Sequence, residues 1–387
     1  LKILFLSRQL NIGGAERQLV TLANELAARG HEIVIASYYP GGALSQMLDP
    51  KRIKLISYEK KSRWDLFTLF LKTLKVVRDE QPTVLHGWMH TQNVVATFAK
   101  ALNPKVTMVW AVRASNLEEH LDWAEKLTIW LQARLSIFAS RIAVNSMAGL
   151  EYAVKSGLPR EKMLFVPNGI DTNTFYPNDE ERRRVRAQWN MGDDVKIVGN
   201  ISRFDPIKNH TMFLKAAAGV AAERSDVRFI CVGHGKESYL QELKQLARTL
   251  GLEGKVHWIQ AQSEVRAVYN AVDVFCSSSL TEGFPNVIGE AMACGRHCVV
   301  TNVGDSALVV GDTGVVVPSD DAKAMTAGLL DRINATETLN LRARQRILEN
   351  FTVAHLADKS EYVLYQAIEQ SHPNFGHSEE VARSADA

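Results

Sequence analysis

Short apolar, β-branched runs alternate with amphipathic segments along this chain, and the alternation breaks once and then starts again. In the first half the runs are KILFLS (2–7), EIVIAS (32–37), TVLHGW (83–88), VTMVWAV (106–112) and RIAVNS (141–146). Helical spacing over 15–29, 64–78 and 122–138 falls between them. Strands that alternate with helices in this way build a parallel sheet covered on both faces. Near 168–194 the pattern loosens into NGIDTNTFYPND and then a charged run, EERRRVR at 180–186, which marks the expected junction. It resumes as KIVGNIS (196–202), RFICVG (228–233), KVHWI (255–259), DVFCSS (273–278) and HCVVTN (297–302). The expectation is an α/β chain with two doubly wound domains, at 1–175 and 176–350. A helix at 351–371 and a mobile polar tail at 372–387 follow. Ligands of open α/β sheets bind at the carboxyl ends of the strands, so a site is expected in a cleft between the two domains.

At 387 residues the chain is too long for one core and suits two. No run approaches the roughly 18 apolar residues that span a bilayer, and no leader precedes the first strand, so a cytoplasmic protein is expected. Cys231, Cys276, Cys294 and Cys298 lie mostly in apolar runs and read as reduced core thiols. Net charge is only +2, which gives no reason to expect a nucleic-acid partner, but it is unevenly spread. Residues 1–175 hold 22 Lys+Arg against 15 Asp+Glu, the remainder 23 against 28. That asymmetry suits a phosphate-bearing or anionic partner near the first half, or is ordinary surface charge.

Four stretches carry chemistry. After the first strand, Gly13 and Gly14 precede Ala15 and Glu16 at a helix start, either a phosphate-accepting amide turn or a plain connection. GNISRFDPIKNH brings Arg203 and Lys208 five residues apart, a fork and a point charge suited to successive phosphates. VGHGKE closes another strand with Gly233 and Gly235, where backbone can approach a ligand. In EGFPNVIGE, Gly283, Phe284 and Pro285 turn the chain into a helix opening at Asn286, whose amides favour an anion. Glu290 can then accept from a vicinal diol such as a ribose, and Glu282 from hydroxyls beyond the diphosphate.

Glu282 and Glu290 within EGFPNVIGEAMACG resemble the Glu-x7-Glu signature of retaining glycosyltransferase family 4, of GT-B architecture with two Rossmann-like domains. GGAE (13–16), FVPNGIDTNTFYP (165–177), VGHG (232–235) and GDTGVVVPSDD (311–321) extend the resemblance over nearly the whole chain. It implies that Arg203 and Lys208 bind the donor diphosphate, Glu290 the ribose, and Glu282 the transferred sugar. Gly13 and Gly14 would close over the site, and the final helix would cross back to the first domain. Gly233, Gly283, Phe284 and Asn286 join the donor-binding set. Many members carry a histidine where this chain has Arg113, and some branches resemble its Arg-x-Ser-Asn. Arg113, Asn116 and Glu16 are the acceptor-side candidates. His86, His90 and His120 lie nearby in sequence and suit core or surface positions better than catalysis.

The implied reaction moves a sugar from a nucleoside-diphosphate sugar, expected to be a UDP-sugar, to a saccharide or lipid-linked saccharide in cell-surface polysaccharide or glycolipid synthesis. No Asp-x-Asp motif is present, so Arg203, Lys208 and the helix amides are expected to meet the leaving-group charge without a metal or cofactor. The resemblance implies that the acceptor hydroxyl attacks on the face the nucleotide leaves. Residues 51–78 hold nine Lys+Arg against two acidic residues, with an apolar helix, and suit either anionic lipid or a core-facing helix with basic flanks. Lys60, Lys61, Arg63 and Trp64 are the membrane-contact candidates. A nucleotide-sugar epimerase and a non-catalytic saccharide- or nucleotide-binding protein are the competing readings.

Overall fold

The computed structural model describes residues 1–60, 65–113, 122–260 and 264–373. Its backbone forms two compact units, one of Leu1–Gly169 with the segment from Val353 onward, the other of Ile170–Thr352. The boundary precedes the expected 175/176 because Ile170 and Phe175 already belong to the second unit's core. Gly169 is instead gripped within the first, its N–H donating to Gln18 Oε1 and its carbonyl accepting from Gln18 Nε2, both at 2.9 Å. Nor is the charged run at 180–186 a junction. It lies on the helix Asp179–Gln188, where Arg182 and Arg186 reach Asp273 at 2.6 and 3.3 Å. The buried Arg186 is tolerable there because it is paired and both its Nη groups also meet backbone carbonyls, although its Nε has no hydrogen-bond partner among the described residues.

In the first unit, β1 (Lys2–Ser7), β2 (Glu32–Ser37), β3 (Ile53–Ser57), β4 (Val84–Trp88), β5 (Thr107–Val112), β6 (Arg141–Val144) and β7 (Met163–Phe165) form one sheet. Its order is β3-β2-β1-β4-β5-β6-β7, with every pairing parallel. Alternate residues of β1 enter opposite cores, Ile3 and Phe5 on one face, Leu4 and Leu6 on the other, which is why the strand is apolar throughout. One face is covered by the helices Gly14–Ala28 and Val353–Ser371, the other by Leu66–Glu80, His90–Ala101 and Trp123–Leu135. The last helix buries Leu356, Val363, Leu364 and Ile368. It is clamped by Arg29 Nη1, 2.6 Å from both Asp358 and Glu361, and by His31 Nε2 2.7 Å from Glu361.

The second unit repeats the plan with β8 (Lys196–Ile201), β9 (Val227–Gly233), β10 (Val256–Gln260), β11 (Val274–Ser277), β12 (His297–Thr301) and β13 (Val315–Val317). The order β10-β9-β8-β11-β12-β13 is again all parallel. In both sheets the strand order reverses once, between β1 and β4 and between β8 and β11. A crevice opens at the carboxyl ends of the strands at such a reversal. Among the described residues no helix is long and apolar enough to cross a membrane.

Candidate active site

At the reversal in the second unit, the chain leaving β8 carries Arg203 and Lys208 and the chain leaving β11 carries Glu282. A small cavity there is lined by Asn200, Ser202, Lys208, Ser278, Ser279 and Glu282, among others. Lys208 Nζ lies 2.5 Å from Glu282 Oε1, and Ser279 Oγ donates to the same oxygen at 2.6 Å. Both charged side chains are mostly buried, at 16% and 11% exposed. Oε2 of Glu282 has no partner among the described residues, so half of this carboxylate stays available to a hydroxyl. The lysine loop is pinned from below, since Ser278 Oγ donates to the Lys208 carbonyl at 2.9 Å and the Leu280 N–H to the Ile207 carbonyl at 2.8 Å. Asp205 caps the turn by accepting from the Ile207 N–H. Arg203, by contrast, is exposed and has no ion pair among the described residues. Two cations thus stand at one strand end, one fixed by a carboxylate and one unconstrained.

Close backbone approach holds the same region. A Cβ on Gly233 would sit 1.9 Å from the Ser202 carbonyl, so the loop after β8 can lie on the end of β9 only over a glycine. Gly304, at φ +53°, would place a Cβ 2.2 Å from the Glu282 carbonyl, and the Asp305 N–H donates to the Gly283 carbonyl at 3.0 Å. The helix Asn286–Ala293 starts as the spacing predicts. The Phe284 ring is buried and packs edge-on to Phe351 at 5.5 Å, so what Phe284 can offer a ligand is its backbone. Glu290 is buried as well, at 8% exposed, with Oε2 accepting from the Tyr269 hydroxyl at 2.9 Å.

The first unit has its own cluster at the ends of β4, β5 and β6. Arg113 donates through Nη1 to Asn168 Oδ1 at 2.8 Å and stacks 4.0 Å over the Trp88 ring. Asn145 Nδ2 reaches the same Asn168 oxygen at 3.3 Å. Among the described residues Arg113 Nε is buried without a partner, and none of their carboxylates approaches the guanidinium. Desolvation pushes its pKa down to about 9, which leaves it charged at neutral pH. Gly13 caps the helix Gly14–Ala28, and Glu16 lies half-buried in its first turn. His86 is a core residue, stacked 5.0 Å from Phe5 and pushed by burial down to about 3. His90 bonds to Gln132.

Residues 12–174 match the model of Glycosyltransferase Family 4, and residues 195–334 that of Glycosyl transferases group 1. The GalNAc-alpha-(1->4)-GalNAc-alpha-(1->3)-diNAcBac-PP-undecaprenol alpha-1,4-N-acetyl-D-galactosaminyltransferase of Campylobacter jejuni is 26% identical over 377 residues, 93% of this chain and 97% of that one. EpsF of Bacillus subtilis is 29% identical over 225 residues, 57% of this chain; the match spans 54% of that relative's length. Among solved structures, Anabaena HepE in complex with UDP has the same fold, with a TM-score of 0.82 at 22% identity over 94% of this chain and 100% of that one. The chain belongs to the GT-B glycosyltransferases.

In this glycosyltransferase the side chains that fix the charged groups are ones that the sequence analysis passes over. Ser278 and Ser279 follow β11, Asn200 Nδ2 donates to Ser278 Oγ at 3.2 Å, and Ser202 Oγ donates to Asn200 Oδ1 at 2.7 Å. The one sequence signal for them is the run SSS at 277–279 leaving an apolar strand. Tyr269 and Gln18 carried no signal, and Asn168 stood only within the stretch FVPNGIDTNTFYP, with no role assigned to it. Of the membrane-contact candidates, Lys60 is half-buried with its ammonium 5.7 Å over the Tyr39 ring, and burial lowers its pKa. Lys61, Arg63, Trp64, Asn116 and His120 lie outside the described residues.

Proposed function

We propose that this protein is a retaining glycosyltransferase that moves a sugar from a nucleoside-diphosphate sugar, of the UDP class, to a hydroxyl of a saccharide or lipid-linked saccharide acceptor. The observation that carries this reading is the Lys208–Glu282 pair at the β8/β11 reversal, with Arg203 exposed beside it. Lys208 keeps two N–H directions beyond the one on Glu282 and Arg203 keeps its whole fork, which suits two adjacent phosphates. In the reaction these cations meet the charge that develops as the diphosphate leaves, without a metal ion. Glu282 orients the transferred sugar through its unengaged oxygen, and Glu290, steadied by Tyr269, takes the ribose. Gly233, Gly283, Asn286 and the Phe284 backbone complete the donor side, and Gly13 and Gly14 are the first unit's candidates for donor binding. Arg113, with Glu16 and Asn116, belongs to the acceptor side.

The donor class is supported by the complexes of HepE with UDP and with UDP-glucose, and the acceptor class by the undecaprenol-linked saccharide in the Campylobacter enzyme's name. Contact of Lys60, Lys61, Arg63 and Trp64 with an anionic membrane rests on the basic stretch alone. Incubation with a panel of sugar nucleotides is the test. Slow release of free nucleotide and sugar of retained anomeric configuration, undiminished by chelator, is expected. A changed sugar still on its nucleotide would make the protein an epimerase, and a rate abolished by chelator and restored by magnesium or manganese would end the metal-independent reading.

A further inference from the structure

Four neighbouring strands of the first sheet, β4, β5, β6 and β7, each bring one side chain to a single cluster at their carboxyl ends. Trp88 ends β4, Arg113 and Asn145 directly follow β5 and β6, and Asn168 stands three residues beyond β7. The Arg113 guanidinium is held on two sides: Trp88 covers one of its faces at 4.0 Å, and Nη1 donates to Asn168 Oδ1 at 2.8 Å. The indole is itself fixed, since Nε1 donates to the Ala15 carbonyl at 3.1 Å and the ring meets Phe5 edge-on at 6.0 Å. This clamp leaves one planar edge of the fork, Nε with Nη2. Nε is buried and neither nitrogen has a partner among the described residues, while the residue as a whole is not sealed from solvent. Asn145 Nδ2 donates to the same Asn168 oxygen at 3.3 Å, and Asn145 Oδ1 is a buried acceptor without a partner among the described residues.

An unpaired buried donor on a charged group and an unpaired buried acceptor beside it each cost stability, so the cluster points to a ligand that satisfies both. To take the Nε/Nη2 edge through two parallel hydrogen bonds, that ligand needs two coplanar anionic oxygens, and for Asn145 it needs a hydroxyl close by. It must also bring a single charge. Among the described residues no other ionised group lies close enough to act on Arg113, and His86, which feels its charge, is kept neutral by burial. A phosphate monoester carries about 1.5–2 negative charges at neutral pH, more than one guanidinium balances in a desolvated place, whereas a carboxylate carries one. We propose that Arg113, Asn145, Asn168 and Trp88 form a subsite for the carboxylate of a uronic acid, and that the acceptor saccharide is acidic at the sugar bound there. In a hexuronate the carboxylate and the adjoining ring hydroxyl stand side by side, which matches the fork and the Asn145 oxygen. A neutral hexose offers one oxygen at that place and leaves a donor unmatched. That the uronate is the acceptor rests on the transferase reading; the carboxylate subsite itself does not.

Ligand-detected NMR on the full chain, without nucleotide, tests it with methyl glucuronide and methyl galacturonide, each beside its neutral methyl hexoside, and with glucose 6-phosphate. At least one uronide is expected to bind about tenfold tighter than its neutral counterpart, because the neutral sugar leaves a buried charged donor unpaired. Glucose 6-phosphate should bind more weakly than that uronide. Arg113→Gln should abolish the preference and Arg113→Lys should not restore it, since a point charge cannot make both parallel bonds. Arg113→Gln should unfold at or above the parent's temperature, because an unpaired buried charge is removed, and that excludes loss of fold as the cause. Donor hydrolysis, followed alongside, separates this inference from the reading it rests on. A protein that binds the uronide but hydrolyses no sugar nucleotide keeps the subsite and loses the transferase reading; one that hydrolyses the donor with no uronide preference does the reverse. The proposal is overturned if neither uronide exceeds its neutral hexoside, if glucose 6-phosphate is the tighter ligand, or if Arg113→Gln binds as the parent does.

Discussion

Lys208 and Glu282 neutralise one another at 2.5 Å, so removing either one strands the other in a mostly buried place. Lys208→Ala should cost about 2–4 kcal/mol of transition-state stabilisation, the range for deleting one preorganised charge-stabilising donor, read as a fall of kcat/KM in steady-state kinetics. A variant within threefold of the parent would remove Lys208 from the mechanism. Glu282→Ala and Glu290→Ala should separate by calorimetry: the first keeps nucleoside-diphosphate affinity and loses turnover, the second loses the affinity. Equal losses would refute the assignment. Tyr269→Phe removes the hydroxyl that donates to Glu290 at 2.9 Å and leaves the ring in the core. Hydrogen bonds to charged groups contribute about 1.5–3 kcal/mol, so nucleotide affinity should drop tenfold or more. A nucleotide affinity equal to the parent's would show that Glu290 needs no such support.

At the scale of elements, His86 in the first unit and His210 in the second are buried histidines whose protonation works against folding. His86 on β4 is pushed by desolvation down to about 3, and His210, at the start of the helix His210–Glu223, down to about 4 by desolvation and the nearby Lys208. An unfolded histidine takes its proton near 6.5. Between those values the unfolded chain binds protons that the folded chain refuses. This stabilisation is therefore complete above about pH 6.5 and is lost as pH falls toward 4, at about 1.4 kcal/mol per pH unit for each histidine. Urea titrations at pH 7 and pH 5 should show the loss, and His210→Gln should lessen it for the second unit, where the buried His297 still contributes; a parent equally stable at both pH values would contradict this. Ten of the strands were legible, nine of them because parallel strands buried on both faces are apolar along their whole length; the tenth, β10, is a partly buried edge strand found by its run VHWI. The sequence analysis missed β3, β7 and β13, all at sheet edges and only partly buried. A strand such as IKLIS, with a lysine and one solvated side, has no continuous apolar run to find. The charged candidates stood out for a different reason: Arg203, Lys208 and Glu282 follow strands in turns rich in Gly and Pro, and Glu290 lies one turn into the helix Asn286–Ala293. Ser278, Ser279 and Asn200 act through geometry alone, and small polar residues carry no mark of that in sequence.

For the whole molecule, the segment from Val353 completes a unit whose other residues end at Gly169. Deleting it should uncover the core around Leu356, Val363, Leu364 and Ile368, each worth about 1.5–3 kcal/mol when fully buried. Calorimetry of a chain ending at Thr352 should lose the first unit's transition and keep the second's; two intact transitions would mean that the helix is dispensable. The same connectivity sets an order on synthesis. A ribosome adding about 5–20 residues per second takes roughly 10–40 s to pass from Gly169 to the end of the helix Val353–Ser371. Throughout that interval the second unit can finish folding while the first, begun earlier, waits with one wall open. The older half of the nascent chain is thus the last to close, and the half that chaperones have longest to find.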